Sequence, residues 1–289
     1  MCLEEEDEQT INKALQEWRQ GDASLDDDLE FLHLADLSRP HSNASIQIAA
    51  SLKHNGETVE SKPTPVLQEV CGIAVLSQTC DIVRGCRERP FLEVAPLVEV
   101  DKQTVEEIRR LKRPAYAYVP AVAREQLVAD LDRTMTVEKS LISALNRIPG
   151  CKTDDQRRDF ALALARKRSR FPFPDDFVTA ARKFQRNMVK KHDSQTEEGA
   201  HLRAIEEIRV RAAPSWHDEE VELEWWLIKE HDPEGVQADW QTFIDKWFGL
   251  FDKTGRFDFG MPTACRLEDI TARDYVESDR LDLDRLSVS

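Results

Sequence analysis

The sequence predicts an α+β protein: a β-rich barrel or rolled sheet over residues 1–150, then a basic helical segment and a small α+β unit over 151–289. Three observations carry this. Short alternating or fully apolar runs dominate residues 45–142, as expected of strands. From Asp154 the apolar residues recur at helical spacing instead. After Glu207 two strand-like runs return, followed by an aromatic-rich amphipathic stretch. A length of 289 residues also fits two domains, because single hydrophobic cores stop growing near this size.

In chain order, Gln9 to Gln20 reads as a helix with an acidic lead-in and Gly21 as its stop. LEFLHLADL (29–37) fits a strand or a short helix, and SRPHSN (38–43) is turn chemistry. SIQIAASLK (45–53) alternates like a strand, and the polar HNGETVESKPTP (54–65) follows as a loop with an Asn-Gly signal. VCGIAVLSQ (70–78) is an apolar run suited to a strand buried on both faces. FLEVAPLVEV (91–100) is a strand interrupted by Pro96, which implies an edge position or a bulge. A helix over Thr104–Lys112 precedes strand-like AYAYVPA (115–121) and LVADLDRTMTVEKSLI (127–142). Five or six short strands with one or two helices read as a small barrel.

The second half opens with TDDQRRDFALALARKRSR (153–170), acidic at its start and basic at its end as the helix dipole favours. FPFP (171–174) stops it, and a second helix from Asp175 to Lys191 aligns Phe177, Val178, Ala181, Phe184 and Met188 on one stripe. Glu197 to Glu207 continues as helix into the strand EIRVRA (207–212). A Pro-Ser-Trp turn joins that strand to EVELEWWLIK (220–229). ADWQTFIDKWFGLF (238–251) is an amphipathic helix, and TACRLEDITARDYV (263–276) is read as a last strand. The leucines of SDRLDLDRLS (278–287) are expected to pack back onto the body.

The net charge of −15 is unevenly spread: −11 over residues 1–100, +7 over 101–213 and −11 over 214–289. That asymmetry points to nucleic-acid contact through the basic part, or to basic parts packed on acidic ones. No run approaches the length of a membrane span, and the acidic start lacks signal-peptide chemistry, so a cytoplasmic protein is expected. The six cysteines form no CxxC pair and no disulfide framework, and no Cys/His set has zinc spacing. His192-Asp193 and the 217–220 cluster fall in expected turns without metal-ligand geometry. Neither a cofactor nor a metal is expected.

The run 74–83, AVLSQTCDIV, is where chemistry concentrates: an apolar strand breaks into Ser77, Gln78, Thr79, Cys80 and Asp81. Side chains at the end of a buried strand are rigidly held and face a cleft or solvent. Ser77 and Thr79 could donate hydroxyls to a phosphate, and Cys80 is a candidate nucleophile, although an adjacent carboxylate opposes thiolate formation. Alternatively, Thr79 and Asp81 satisfy backbone groups at the strand end and Cys80 tucks inward.

GIAVLSQTCDIV, together with QGDASL (20–25), FLEVAPLVEV and LVADLDRTMTVEKSLI, resembles the MazF/PemK toxin family of RNA-cutting SH3-like barrels. The matching positions are Gly21-Asp22, Ser77 to Asp81, Asp132-Arg133-Thr134 and Lys139-Ser140, in about half of the chain. The resemblance implies an SH3-like barrel and a bacterial toxin-antitoxin or antiphage-defence protein acting as a metal-independent endoribonuclease. Ser77, Thr79, Cys80, Asp81 and Arg133 lie at the matching positions and, with Arg84 as a further remote basic residue, are the candidates for catalysis. The family's Arg-Pro before the buried strand is replaced here by KPTPVLQEV, where Lys62 is the only basic residue between Lys53 and Arg84.

The basic helices supply a second candidate. Arg157, Arg158, Arg166, Lys167, Arg168, Arg170, Arg182, Lys183, Arg186, Lys190 and Lys191 could meet the phosphates of RNA or DNA, or form solvated faces docked on acidic flanks. The competing class is a non-catalytic adaptor that docks a partner protein through its acidic flanks and its C-terminal aromatics, Trp225, Trp226, Trp240, Trp247 and Phe251.

Overall fold

The computed structural model describes residues 4–26, 29–111, 113–169, 171–192, 194–233, 235, 237, 239–253 and 255–281. Two compact units divide the chain, Met1–Arg168 and Ser169–Ser289. Both mix helices and sheets, so the protein is α+β. Among the described residues no helix is long and apolar enough to cross a membrane.

The first unit opens with α1 (Glu5–Leu15), which begins four residues earlier than Gln9. Its first turn holds Glu5, Glu6, Asp7 and Glu8, where carboxylates favour helix. β1 (Ala23–Ser24), β2 (Glu30–Asp36), α2 (Asn43–His54), β3 (Pro63–Glu69) and β4 (Ile73–Val75) follow. The strand expected over 45–53 is thus a helix. Ser42 and Ser45 form a reciprocal capping box, and Ser45, Ile48, Ala49 and Leu52 bury one helical face, a 3.6-residue period that the apparent alternation masked.

The unit is completed by α3 (Thr79–Ile82), β5 (Phe91–Glu99), α4 (Lys102–Arg109), β6 (Tyr116–Ala117), β7 (Leu127–Asp130), β8 (Met135–Glu138), α5 (Lys139–Ala144) and α6 (Asp154–Arg168). The main sheet runs β1-β4-β5-β7-β6, with β8 also on β5. It stays open, with no pairing between β6 and β1 among the described residues, so of the two expected forms, barrel or rolled sheet, it is not a closed barrel. A separate two-stranded ribbon pairs β2 with β3.

Pro96 lies in the central strand rather than at an edge. β5 pairs with β8 up to Val94 and with β7 from Leu97. Pro96 occupies the gap between the two partners, where its missing N–H costs no ladder bond. On the other side the Leu97 N–H reaches the Gly72 carbonyl (2.8 Å).

Asp22, 1% exposed, fastens the ends of this unit together. It accepts from the Arg19 N–H (2.8 Å), from Arg147 Nε (2.6 Å) and from the Gly150 N–H (3.1 Å). Ala23 and Ile148 exchange backbone bonds beside it. Gly21 holds φ +86°, and a Cβ on Gly150 would lie 1.8 Å from the Gly21 carbonyl oxygen. α6 then packs Phe160 and Ala163 among Ala23, Val119 and Cys151. This is why the division falls after Arg168 rather than near residue 150.

The second unit contains α7 (Asp175–Lys191), α8 (Glu197–Ala204), β9 (Ile205–Ala213), β10 (Val221–Lys229), α9 (Trp240–Phe248), β11 (Phe257–Phe259), β12 (Thr263–Cys265), α10 (Ala272–Glu277) and β13 (Asp279–Arg280). Its sheet runs β11-β10-β9-β13, with β12 parallel to β10. The strand expected over 263–276 is only three residues long, because Thr271 caps α10 through the Asp274 N–H (3.1 Å). Helix 197–207 likewise yields to β9 at Ile205. The expected packing of the tail beyond Leu281 lies outside the described residues.

Substituting Gly150→Ala is expected to destabilise the protein by about 3 kcal/mol or more, since neither backbone segment can give way. Urea unfolding followed by circular dichroism checks this; an unchanged midpoint would contradict the close approach.

Candidate functional site

The Ser77–Asp81 row sits where β4 ends and the single turn of α3 begins. Its hydroxyls are anchors. Ser77 Oγ accepts the Glu93 N–H (2.8 Å), and Thr79 Oγ1 accepts the Gln20 N–H (3.2 Å), while Gln20 Nε2 donates to the Leu76 carbonyl (2.8 Å). These bonds satisfy backbone donors at a strand end, as the structural alternative has it for Thr79, but with Ser77 in place of Asp81 and with Cys80 facing outward rather than inward.

What faces solvent is the other part of the row. Cys80 is exposed, 3.6 Å from Gln78 Oε1, and Asp81 pairs with Arg84 at 3.5 Å with both side chains nearly half exposed. Beneath them lies Lys139, 1% exposed. Its Nζ donates to the carbonyls of Asp81 (2.7 Å), an orphan acceptor at the end of α3, and of Arg84 (2.6 Å), just beyond it. Burial pushes the Lys139 ammonium below its ordinary range, opposed by Cys86, Asp81 and Glu88. Lys139 was visible in the sequence only as part of a Lys-Ser pattern; its apolar neighbours in strand β8 and helix α5 bury it. Arg133 is committed elsewhere, to Asp130 (2.8 Å), Gln68 (3.4 Å) and the Phe31 ring (5.8 Å).

The basic residues of 155–191 divide between the two units. In α6 they are occupied. Arg157 pairs with Asp154 (2.7 Å) and Arg158 with Asp155 (3.0 Å). Arg166 donates to the Leu111 carbonyl, Lys167 pairs with Asp132, and Arg168 with Glu93. Arg170 lies outside the described residues.

In α7 the outcome differs. Lys191 pairs with Glu198, but the side chains of Arg182, Lys183, Arg186 and Lys190 are exposed and make no ion pair or hydrogen bond among the described residues. Phe177, Ala181, Phe184 and Met188 face the core, which forces the cations to the opposite side. Arg182, Lys183 and Arg186 line one groove of about 380 Å³ together with Thr179, Leu250 and the acidic Asp252.

The C-terminal aromatics pack inward. Trp225, Trp247 and Phe251 are buried, Phe184 stacks on Phe251 at 4.5 Å, and Trp240 is half-buried. Among the described residues no group of three or more His, Cys, Asp or Glu side chains is placed to hold a metal ion.

Comparison of the chain with protein-family models, with curated proteins and with solved structures gave no match.

The cysteines separate by environment. Burial pushes the Cys151 thiol up to about 11, helped by the Asp22 charge, and burial also raises Cys265. Cys71 and Cys80 are exposed. Iodoacetamide at neutral pH is therefore expected to alkylate Cys71 and Cys80 in the native protein, and Cys86, Cys151 and Cys265 only in urea, as mapped by peptide mass spectrometry. Native labelling of Cys151 would contradict its burial.

Proposed function

We propose that the protein engages the phosphate backbone of nucleic acid, and that the exposed face of α7 is the contact surface. One observation carries this: Arg182, Lys183 and Arg186 line a single groove with no carboxylate partner among the described residues, whereas the α6 cations are already engaged. Three unneutralised cations on one rigid helix face gain counterion-release free energy when they meet phosphates. The aromatic side chains of this unit are mostly buried, so backbone contact rather than base stacking carries the affinity. With a net charge of −15 the whole molecule repels a polyanion at long range, so binding is local and strongly salt-dependent.

Fluorescence anisotropy with labelled single-stranded RNA and duplex DNA tests this. The triple variant Arg182→Glu, Lys183→Glu, Arg186→Glu is expected to weaken binding about tenfold or more, and to flatten the salt dependence by about two to three in log–log slope. Arg157→Glu with Arg158→Glu should change little. Wild-type affinity in the triple variant would overturn the reading.

The kinship with MazF/PemK toxins, through an SH3-like sheet that rolls without closing, belongs to the same proposal, as does a role in bacterial conflict or defence. Its support is that β5 serves two neighbours in succession, β8 and then β7, as a strand does when a sheet rolls. A ribonuclease of that kind would run on Asp81, the exposed carboxylate that ends the row, and on Arg84, the guanidinium paired with it. Asp81 would take the proton of a ribose 2′-hydroxyl as its oxygen bonds to the adjacent phosphorus; the P–O5′ bond then breaks to leave a 2′,3′-cyclic phosphate, the departing 5′-oxygen takes a proton from solvent water, and Arg84 would hold the charge that develops on the phosphate. With labelled RNA, Asp81→Ala should abolish cleavage while Cys80→Ser retains it; intact RNA after incubation with the wild-type protein would sink the nuclease reading and leave the binding one standing.

A further inference from the structure

Among the described residues the ribbon of β2 and β3 is covered on one face only. α2 packs there, placing Ile48, Ala49 and Leu52 with Leu37 and Val66. The register puts Leu32 opposite Leu67 and Leu34 opposite Pro65 on the other face. Leu32 is 46% exposed, Leu67 55% and Leu34 68%. A scattered surface leucine needs no explanation, but adjacent cross-strand rows of them form a patch.

The next row of the same face is Glu30 opposite Glu69. Both carboxylates are exposed, and neither has a cation partner among the described residues. Like charges directly opposite destabilise a strand pair. An uncovered leucine patch abutting an uncompensated acid pair breaks two local rules at one place, and such violations concentrate at functional surfaces.

We infer that this face seats an amphipathic helix of a partner protein, with its apolar side on Leu32, Leu34, Pro65 and Leu67 and a lysine or arginine between Glu30 and Glu69. The spacing suits it. Rows on one strand face repeat every two residues, roughly 6.8 Å, and helical residues four apart rise about 6 Å. Two apolar side chains thus meet the two apolar rows, and the next position along reaches the acid row. The arrangement completes a helix–sheet–helix sandwich around the ribbon.

Other occupants fit less well. Strand addition at the outer edge of β3 is blocked, because the alternation that aims the Val70 N–H at Leu29 leaves the prolines 63 and 65 facing that edge without donors. A second copy of the chain would bring carboxylate against carboxylate in either orientation, Glu30 and Glu69 meeting themselves or Asp36. The patch also offers only a few hundred Å², short of the roughly 800 Å² per partner that a stable globular interface uses. Nucleic acid is repelled by the acid pair.

The test uses the full chain and two synthetic helical peptides with leucines at i, i+3, i+4 and i+7, one flanked by lysines and one by glutamates. Anisotropy should show the lysine peptide binding about tenfold or more tightly than the glutamate peptide. Leu34→Asp should abolish binding of both, and Glu30→Lys with Glu69→Lys should reverse the preference. Leu34→Ser serves as a milder variant, and thermal unfolding reports whether each variant stays folded. The inference is overturned if the lysine peptide does not saturate, if folded Leu34→Asp binds it like wild type, or if charge reversal leaves the preference unchanged. It is equally overturned if sedimentation shows a wild-type dimer that Leu34→Asp dissociates, because the occupant is then a second copy. The α7 variants should leave peptide binding intact.

Discussion

A buried carboxylate with three donors governs the first unit. Asp22 is charged chemistry in a place where an unpaired charge would cost several kcal/mol. It is stable there because Arg147 neutralises it and two backbone N–H groups complete its coordination. The same contacts bring residues 19–24 against 147–150, and the Gly21 N–H bonds to the Val75 carbonyl (2.9 Å). The β4 end that leads into the Ser77–Asp81 row is therefore held from the side by this knot. Gly150 is required by the closeness of the two backbones, and Gly21 by its φ of +86°.

The row itself repeats that logic at smaller scale. A buried ammonium, Lys139, stands under α3 and takes the Asp81 carbonyl that a four-residue helix leaves without a partner, together with the Arg84 carbonyl just beyond it. Hydroxyls that look reactive in a string of letters become backbone acceptors. The exposed thiol, carboxylate and guanidinium of Cys80, Asp81 and Arg84 remain on a surface whose backbone is pinned from below. Rigid support of a few exposed polar groups is what any binding or catalytic role there requires.

The second unit is organised by rings. Phe177, Phe184, Trp216, Trp225, Trp247, Phe248 and Phe251 form one cluster against β9 and β10. Burying the apolar stripe of α7 in that cluster sends Arg182, Lys183, Arg186 and Lys190 to solvent as a group. The electrostatics of the face follow from the packing: the −15 net charge is locally reversed because the core consumes the other side of the helix. In α6 a similar density of cations is neutralised by Asp154, Asp155, Asp132 and Glu93, so charge count alone does not make a surface.

The sequence by itself determined the α+β class, the helices 154–168 and 175–191, and the strands after Glu69 and around 205–229, because these rest on local periodicity and on side-chain hydrophobicity. It also pointed at Ser77–Asp81 and at the basic helices. Tertiary structure decided the rest. Residues 45–53 alternate well enough for a strand, yet Ser42 and Ser45 cap a helix there. Pro96 marks a change of strand partner, which depends on where β7 and β8 arrive. Arg157 and Arg158 meet acids three residues earlier in α6, which the sequence shows, but the pairs of Lys167 with Asp132 and Arg168 with Glu93 join residues 35 and 75 positions apart, and no local pattern encodes them. Free and spent cations look alike in a sequence, because what separates them is the distance to a carboxylate that only folding sets.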